Sequence, residues 1–366
     1  MTSVLLVVGS LRTGGTERQV CLLANGLQQQ ENVQVSIALL GGVAESAFPL
    51  VSDVELLSLG PGGWFGMLMA LKRLRRLGRE HTVVYSFLEV ANLWSALALL
   101  GTARRHLLWG VRSAGVPPST IARFAFRVCR WLSPMAQVLV GNAQAVVDHH
   151  LRAGYRPVDV CVTANIVATE RFHPDDDRRR RWRAKLKVDP GDVVIGCVAR
   201  ADPQKCHELL IAAFARVAGE HDNLKLLLVG PGIPDYQPLR AAIEKFDVAA
   251  RVILLAAQAV IHELINAFDI AVNTSAVEGL PNSMLEAAAS GVACIATDVG
   301  GTSDALGDAG ILVPANDVEA FAAALRSLLE DGNLRREMAE RSVQRVRERF
   351  TLDTAVRQTI SLFPIL

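Results

Sequence analysis

The chain has 366 residues, 51% of them hydrophobic and 20% charged, with a formal net charge of +1 at pH 7. That length exceeds what one core fills, so two domains are expected, and a near-neutral charge excludes nucleic-acid binding through a general basic surface. The charge is uneven, with 15 Lys/Arg against 9 Asp/Glu in residues 1–165 and 23 against 28 in residues 166–366.

Residues 4–8 form a short apolar run ending at Gly9, and beyond a glycine loop Val20, Leu22, Leu23 and Leu27 recur at helical spacing. This reads as strand, loop and helix, with Thr16 capping the helix and Gly14 and Gly15 letting the backbone approach a ligand. The spacing is not G-x-G-x-x-G, so a dinucleotide fingerprint has little support. No basic region leads into the apolar run, and a cleaved secretory signal is not expected.

Residues 33–40, 83–87, 107–111 and 138–140 read as further strands separated by helices or loops, which predicts a parallel sheet covered on both faces. Ligands of such sheets sit beyond the strand C-termini, which puts Gly14, the 86–89 stretch and the 112–115 stretch on one rim. Glu89, Arg112 and Ser113 are therefore candidates for the acceptor side. Between these strands lie WFGMLMALKRLRRLGRE at 64–80 and the 121–132 segment, which mixes Phe124, Phe126 and Trp131 with Arg123, Arg127 and Arg130. Both patterns fit a contact with an anionic membrane surface, and both also fit helices packed on the sheet by one face. The longest apolar stretch, 90–103, is too short to span a bilayer.

Residues 166–190 are charged and Pro-flanked and are read as a linker. Asp175, Asp176 and Asp177 follow Pro174 and precede Arg178, which fits acids at the start of a helix with cations behind them better than a metal site. From residue 193 the strand pattern restarts, at 193–199, 224–229, 252–255, 270–272 and 292–296. Arg200 and Lys205 fall in the loop after the first of these strands, where two cations could meet a diphosphate, and Gly230 follows the second. Two doubly wound α/β domains facing across a cleft are the expected fold. Six cysteines are scattered without a C-x-x-C pair and read as small buried hydrophobes of a reducing cytosol.

The stretch SAVEGLPNSMLEAAASG at 275–291 sets Glu278 and Glu286 eight residues apart, with Gly279, Leu280, Pro281, Asn282 and Ser283 between them. Gly and Pro put Glu278 in a loop, and Ser283 with Glu286 has the spacing of a capping box. A helix start suits a phosphate, and carboxylates flanking it suit sugar hydroxyls, so the stretch reads as a nucleotide-sugar site.

In this order the chain resembles family-4 glycosyltransferases of the two-domain GT-B fold. The resemblance rests on GGTER at 14–18, VGNAQA at 140–145, Asn165 with Arg171 and Phe172, Arg200 and Lys205, LVGPG at 228–232, the E-x7-E pair, and Gly300 with Gly301. It implies a retaining hexosyltransferase that takes a sugar from a nucleotide diphosphate sugar, a UDP-sugar ahead of a GDP-sugar, without metal or other cofactor. It implies that Glu278 meets the donor sugar, Glu286 the ribose, and Arg200 and Lys205 the diphosphate, with Gly15 and Thr16 near the same group. The acceptor expected is a glycan or lipid-linked molecule of cell-surface polysaccharide synthesis. The protein is expected in the cytoplasm, with a peripheral contact at the inner membrane face. Domain bounds follow as 1–165, with a C-terminal helix at 351–366 crossing back, a 166–190 linker, and 191–350.

Departures stand at Arg112 and Ser113, where many relatives carry a His, at Ala164 and Ile166 beside Asn165, and at Cys206, where Gly is usual after the basic Lys. The altered rim loop keeps one alternative open, a catalytically silent partner subunit that binds nucleotide sugar.

Overall fold

A computed structural model describes residues 1–12, 14–41, 46–60, 64–102, 106–117 and 119–364, without the side chains of Trp64 and Phe65. Those two side chains, part of the 64–80 segment read as a membrane contact, and residues Ala103 and Arg104 at the end of the long apolar stretch lie outside what is described. The chain divides into two compact units, Met1–Ile166 with Leu352–Leu366, and Val167–Thr351.

The first unit runs β1 (Thr2–Val8), α1 (Gly15–Gln28), β2 (Val33–Leu39), β3 (Glu55–Ser58), α2 (Trp64–Glu80), β4 (Val83–Phe87), α3 (Leu88–Leu99), β5 (His106–Val111), α4 (Thr120–Leu132), β6 (Val138–Gly141), α5 (Gln144–Arg152) and β7 (Asp159–Val162). Its seven strands pair in the order β3-β2-β1-β4-β5-β6-β7, all parallel. Central β1 is buried from Val4 to Val8, the continuous apolar run of a strand covered on both faces.

The second unit runs α6 (Asp176–Lys185), β8 (Val193–Val198), α7 (His207–Ala218), β9 (Leu224–Val229), α8 (Gln237–Lys245), β10 (Val252–Leu255), α9 (Ile261–Leu264), β11 (Ile270–Asn273), α10 (Asn282–Ala289), β12 (Ala293–Thr297), α11 (Thr302–Leu306), β13 (Gly310–Val313), α12 (Val318–Glu330) and α13 (Gly332–Arg349). Six parallel strands pair as β10-β9-β8-β11-β12-β13. The last helix, α14 (Leu352–Ile360), belongs to the first unit, where Ala355 and Val356 join the core formed with Leu23 and Leu27 of α1.

Both sheets reverse their winding beside the first strand, between β1 and β4 and between β8 and β11. Loops leaving neighbouring strands in opposite directions open a crevice at such a point.

Several local readings change. The stretch read as a linker carries α6, whose Arg179 and Arg183 pair with Asp269 at 2.6 and 3.0 Å within the second unit. Asp175 caps α6 by accepting from the Arg178 amide at 2.9 Å, as acids at a helix start do. Thr16 does not cap α1, because the helix begins at Gly15 with Gly14 in the cap position and no side-chain cap. The capping box fails for the same reason of register: α10 begins at Asn282 behind Pro281, so Ser283 is already inside the helix and Glu286 is one of its buried residues. No 86–89 loop exists, since β4 passes directly into α3 through Leu88 in the left-handed region (φ 71°).

Candidate active site

Two loops of the second unit meet at its switch point. One leaves β8 and carries Arg200 to Lys205; the other leaves β11 and carries Thr274 to Pro281. They are tied by backbone and hydroxyl bonds: the Ala276 amide donates to the Gln204 carbonyl at 2.8 Å, and Thr274 Oγ1 donates to the Lys205 carbonyl at 2.9 Å. Thr297, at the end of β12, donates from Oγ1 to the Ser275 carbonyl at 2.6 Å.

This frame sets Lys205 Nζ 2.5 Å from Glu278 Oε1, with side chains 17% and 12% exposed. Asn273 Nδ2 and Ser275 Oγ donate to the same oxygen at 3.0 and 2.7 Å. Burial pushes the Glu278 carboxyl up, but the Lys205 charge and the bonds from Asn273, Lys205 and Ser275 outweigh it and hold it below its ordinary value. Glu278 is thus an ionised carboxylate in a largely dry place.

Arg200 does not point at the same spot. Its guanidinium is paired with Asp202, Nε at 2.9 Å and Nη2 at 2.8 Å, while Asp202 also accepts from the Gln204 amide. The Arg200 carbonyl instead takes a 3.0 Å bond from Nε2 of buried His207, which anchors the loop to the start of α7. Cys206 occupies the left-handed region (φ 48°) between Lys205 and α7, the conformation that a glycine takes without strain.

Gly279 is locked from the far side, its carbonyl accepting from the Gly301 amide at 2.6 Å. At Gly300 (φ 57°) a Cβ would lie 1.9 Å from the Glu278 carbonyl oxygen, so no other residue lets these loops touch. Gly230 plays a similar part behind Arg200, where a Cβ would lie 1.9 Å from the Ala199 carbonyl oxygen. Leu280 and Pro281 are buried, Asn282 and Ser283 partly exposed, and α10 has no side-chain cap.

In the first unit, Gly15 and Thr16 form the first turn of α1. Arg112 follows β5; its Nη2 donates to Tyr85 Oη at 3.1 Å and the guanidinium lies 5.4 Å from the Phe87 ring centroid. It lines a small cleft with Gln19, Thr163 and Asn165, and its Nε and Nη1 are buried without a partner among the described residues. Ser113 turns back, Oγ accepting from the Gly115 amide at 3.2 Å. Glu89 is not on a rim: it is buried at the start of α3, its carbonyl accepting from Cys129 Sγ of α4 at 3.5 Å, and burial raises its carboxyl.

Asn273, Ser275, Asp202 and His207 were not singled out from the sequence as partners of the two loops. Ser275 and Asn273 border the Glu278 stretch, and that adjacency is the one available signal. The described residues contain one group with metal-ligand spacing, Glu220, His221 and Glu330, and Glu220 there is ion-paired with Arg326 at 2.7 Å.

Residues 13–171 match the family model described as Glycosyltransferase Family 4, and residues 178–345 the one described as Glycosyl transferases group 1. The chain is 30% identical over 287 residues to the D-inositol 3-phosphate glycosyltransferase of Corynebacterium glutamicum, covering 74% of this chain and 67% of the relative. It is 24% identical over 240 residues to the lipopolysaccharide core biosynthesis mannosyltransferase LpsB of Rhizobium meliloti, 63% and 68% of the two chains. Three further curated relatives are matched over 40% to 45% of their own length. The solved structure of Anabaena HepE in complex with UDP superposes with a TM-score of 0.82 at 21% identity, over 99% of both chains, and is a likeness of fold. The two switch-point sheets, the paired loops and these matches together make the chain a member of glycosyltransferase family 4, with the GT-B fold.

Proposed function

We propose that the protein transfers a hexosyl group from a nucleotide diphosphate sugar to a hydroxyl of a glycan or lipid-linked acceptor, with retention of configuration and without a metal ion. The observation that carries this is the Lys205–Glu278 pair at the switch point, beside the start of α10, which has no side-chain cap, with Glu286 buried behind it.

In this reading a diphosphate lies against α10, whose dipole favours an anion, and draws Lys205 toward it. Arg200, exposed and paired with neighbouring Asp202, turns to the same charge. Lys205, largely shielded from water, and Arg200 at the solvent edge stabilise the negative charge that grows on the leaving diphosphate. Glu278, released by Lys205 but still held by Asn273 and Ser275, accepts hydroxyls of the donor sugar, and Glu286 those of the ribose. The HepE complex supports UDP ahead of GDP, and the lipopolysaccharide relative supports a lipid-linked acceptor.

The test is release of nucleoside diphosphate by the full chain across UDP- and GDP-sugars, with and without EDTA. Turnover that survives EDTA, with an α-linked product from an α-linked donor by NMR, is the expected result. Loss of activity that only Mg²⁺ or Mn²⁺ restores would overturn the metal-free reading, and binding without any release would leave a silent partner subunit.

A further inference from the structure

Strands β4, β5 and β6 step one way across the first sheet, so right-handed crossovers place α2, α3 and α4 on one face, with α3 packed between the other two. The core side of α4 is narrow: Ala125 and Cys129 are buried, and Phe126 packs among His149, His150 and Tyr155, so it is no surface anchor. The outer side is unlike that of an ordinary packed helix. Ile121, Phe124 and Trp131 are 70%, 62% and 75% exposed, and Val116 just ahead of the helix is 71% exposed.

Helical spacing at 3, 7 and 10 residues aligns Ile121, Phe124, Val128 and Trp131 in one outward stripe. Arg123, Arg127 and Arg130 lie along its flank, with Arg130 5.0 Å from the Trp131 ring centroid. None of the three has an ion pair among the described residues, and α4 contains no acid. On α2, Met67, Leu68 and Met69 are also exposed. Helices α2 and α4 hold eight Lys/Arg and one acid, Glu80.

We propose that this face docks on a bilayer surface containing anionic lipid, with Ile121, Phe124 and Trp131 of α4 entering the headgroup boundary and the three arginines meeting lipid phosphate. A bilayer accepts an apolar stripe and a row of cations side by side, because its surface is anionic and its boundary layer apolar. A second copy of the chain fits poorly, since a two-fold contact through this face would oppose two rows of unpaired arginines. The helix starts a short way beyond Arg112 and Ser113, which follow β5, so docking brings the membrane to the strand-end rim of this unit. This deepens the reading of a lipid-linked acceptor and rests on it for its purpose, but binding to vesicles is measured apart from sugar transfer.

The test is flotation of the full chain with phosphatidylcholine vesicles, neutral or with about one third phosphatidylglycerol. Recovery with anionic vesicles only, reduced at about 0.5 M salt, is expected. Replacing Arg123, Arg127 and Arg130 together by Glu should weaken partitioning by on the order of a hundredfold. Phe124→Ser with Trp131→Ser, which keeps every charge, should weaken it by about tenfold or more. Both variants touch exposed side chains and should keep the parent melting temperature. Arg336→Glu with Arg347→Glu, on α13, should leave flotation unchanged. The proposal is overturned by flotation with neither or both vesicle types, by equal loss in the α13 variant, or by unchanged flotation in the Phe124/Trp131 variant. A dimer in sedimentation that the arginine variant disrupts, without vesicle binding, would likewise overturn it and make the face a contact between copies.

Discussion

Lys205 and Glu278 stand 73 residues apart in the chain and 2.5 Å apart in space. Removing the ammonium leaves a largely buried carboxylate with only Asn273 and Ser275 among the described residues, so Lys205→Ala should cost about 3 kcal/mol of stability and should lower kcat more than it raises KM. The folded-state carboxyl of Glu278 lies below its unfolded value, so its stabilisation is present above the ordinary carboxylate range and is lost as pH falls through the folded value. In Lys205→Ala that acid-dependent part should shrink. Urea midpoints of both proteins at neutral pH and about pH 3 check this, and parallel losses would refute the pairing as its cause. Glu286→Ala should weaken nucleoside diphosphate binding by about 1 to 3 kcal/mol, read by calorimetric titration; unchanged affinity would remove Glu286 from the ribose. Cys206 is held at φ 48°, and Cys206→Gly should raise stability by roughly 0.5 to 1 kcal/mol in denaturant titrations, with kcat unchanged. The sequence offered Lys205 and Glu278 separately. Their contact was not legible, because it arises from β8 lying beside β11, and Arg200 pairs instead with an acid two residues away.

At the scale of elements, the interior strands were legible, and of the four edge strands only β10 was. Segments 83–87, 224–229 and 252–255 coincide with observed strands, β1 starts two residues before the 4–8 run, and the others differ by a residue at their ends. The strands that the sequence did not reveal, β3, β7 and β13, are all edge strands. Each has four residues, and most of them are only partly buried, so they lack the continuous apolar run that marks a strand covered on both faces. Helix starts failed differently. The S-x-x-E spacing at Ser283 and Glu286 was correct as spacing, but the helix begins earlier, and burial rather than capping holds Glu286. Loop contact governs the neighbouring prediction. Gly300→Ala should push the Glu278 carbonyl away and open the Gly301–Gly279 bond, so donor turnover should fall by about tenfold or more while far-ultraviolet circular dichroism stays native. Wild-type kinetics in that variant would show that the two loops can part without consequence.

For the molecule as a whole, α14 is the element whose place in the chain and place in the fold differ most. Truncation after Thr351 removes Ala355 and Val356 from the first core, together with packing from Leu352, Ile360, Leu362 and Phe363. At the usual value of buried apolar surface this should destabilise the first unit by on the order of 5 kcal/mol. Calorimetry should show its transition fall while that of Val167–Thr351 holds, and a joint shift of both would mean that the units unfold as one. During synthesis the same connectivity sets an order. The first unit emerges from the ribosome first but waits through residues 167–351 with the side of α1 uncovered, while the contiguous second unit can finish as soon as it is clear of the exit tunnel. The half of the chain that is begun first is therefore completed last, and its exposed α1 groove is the surface that a chaperone would meet on the nascent chain.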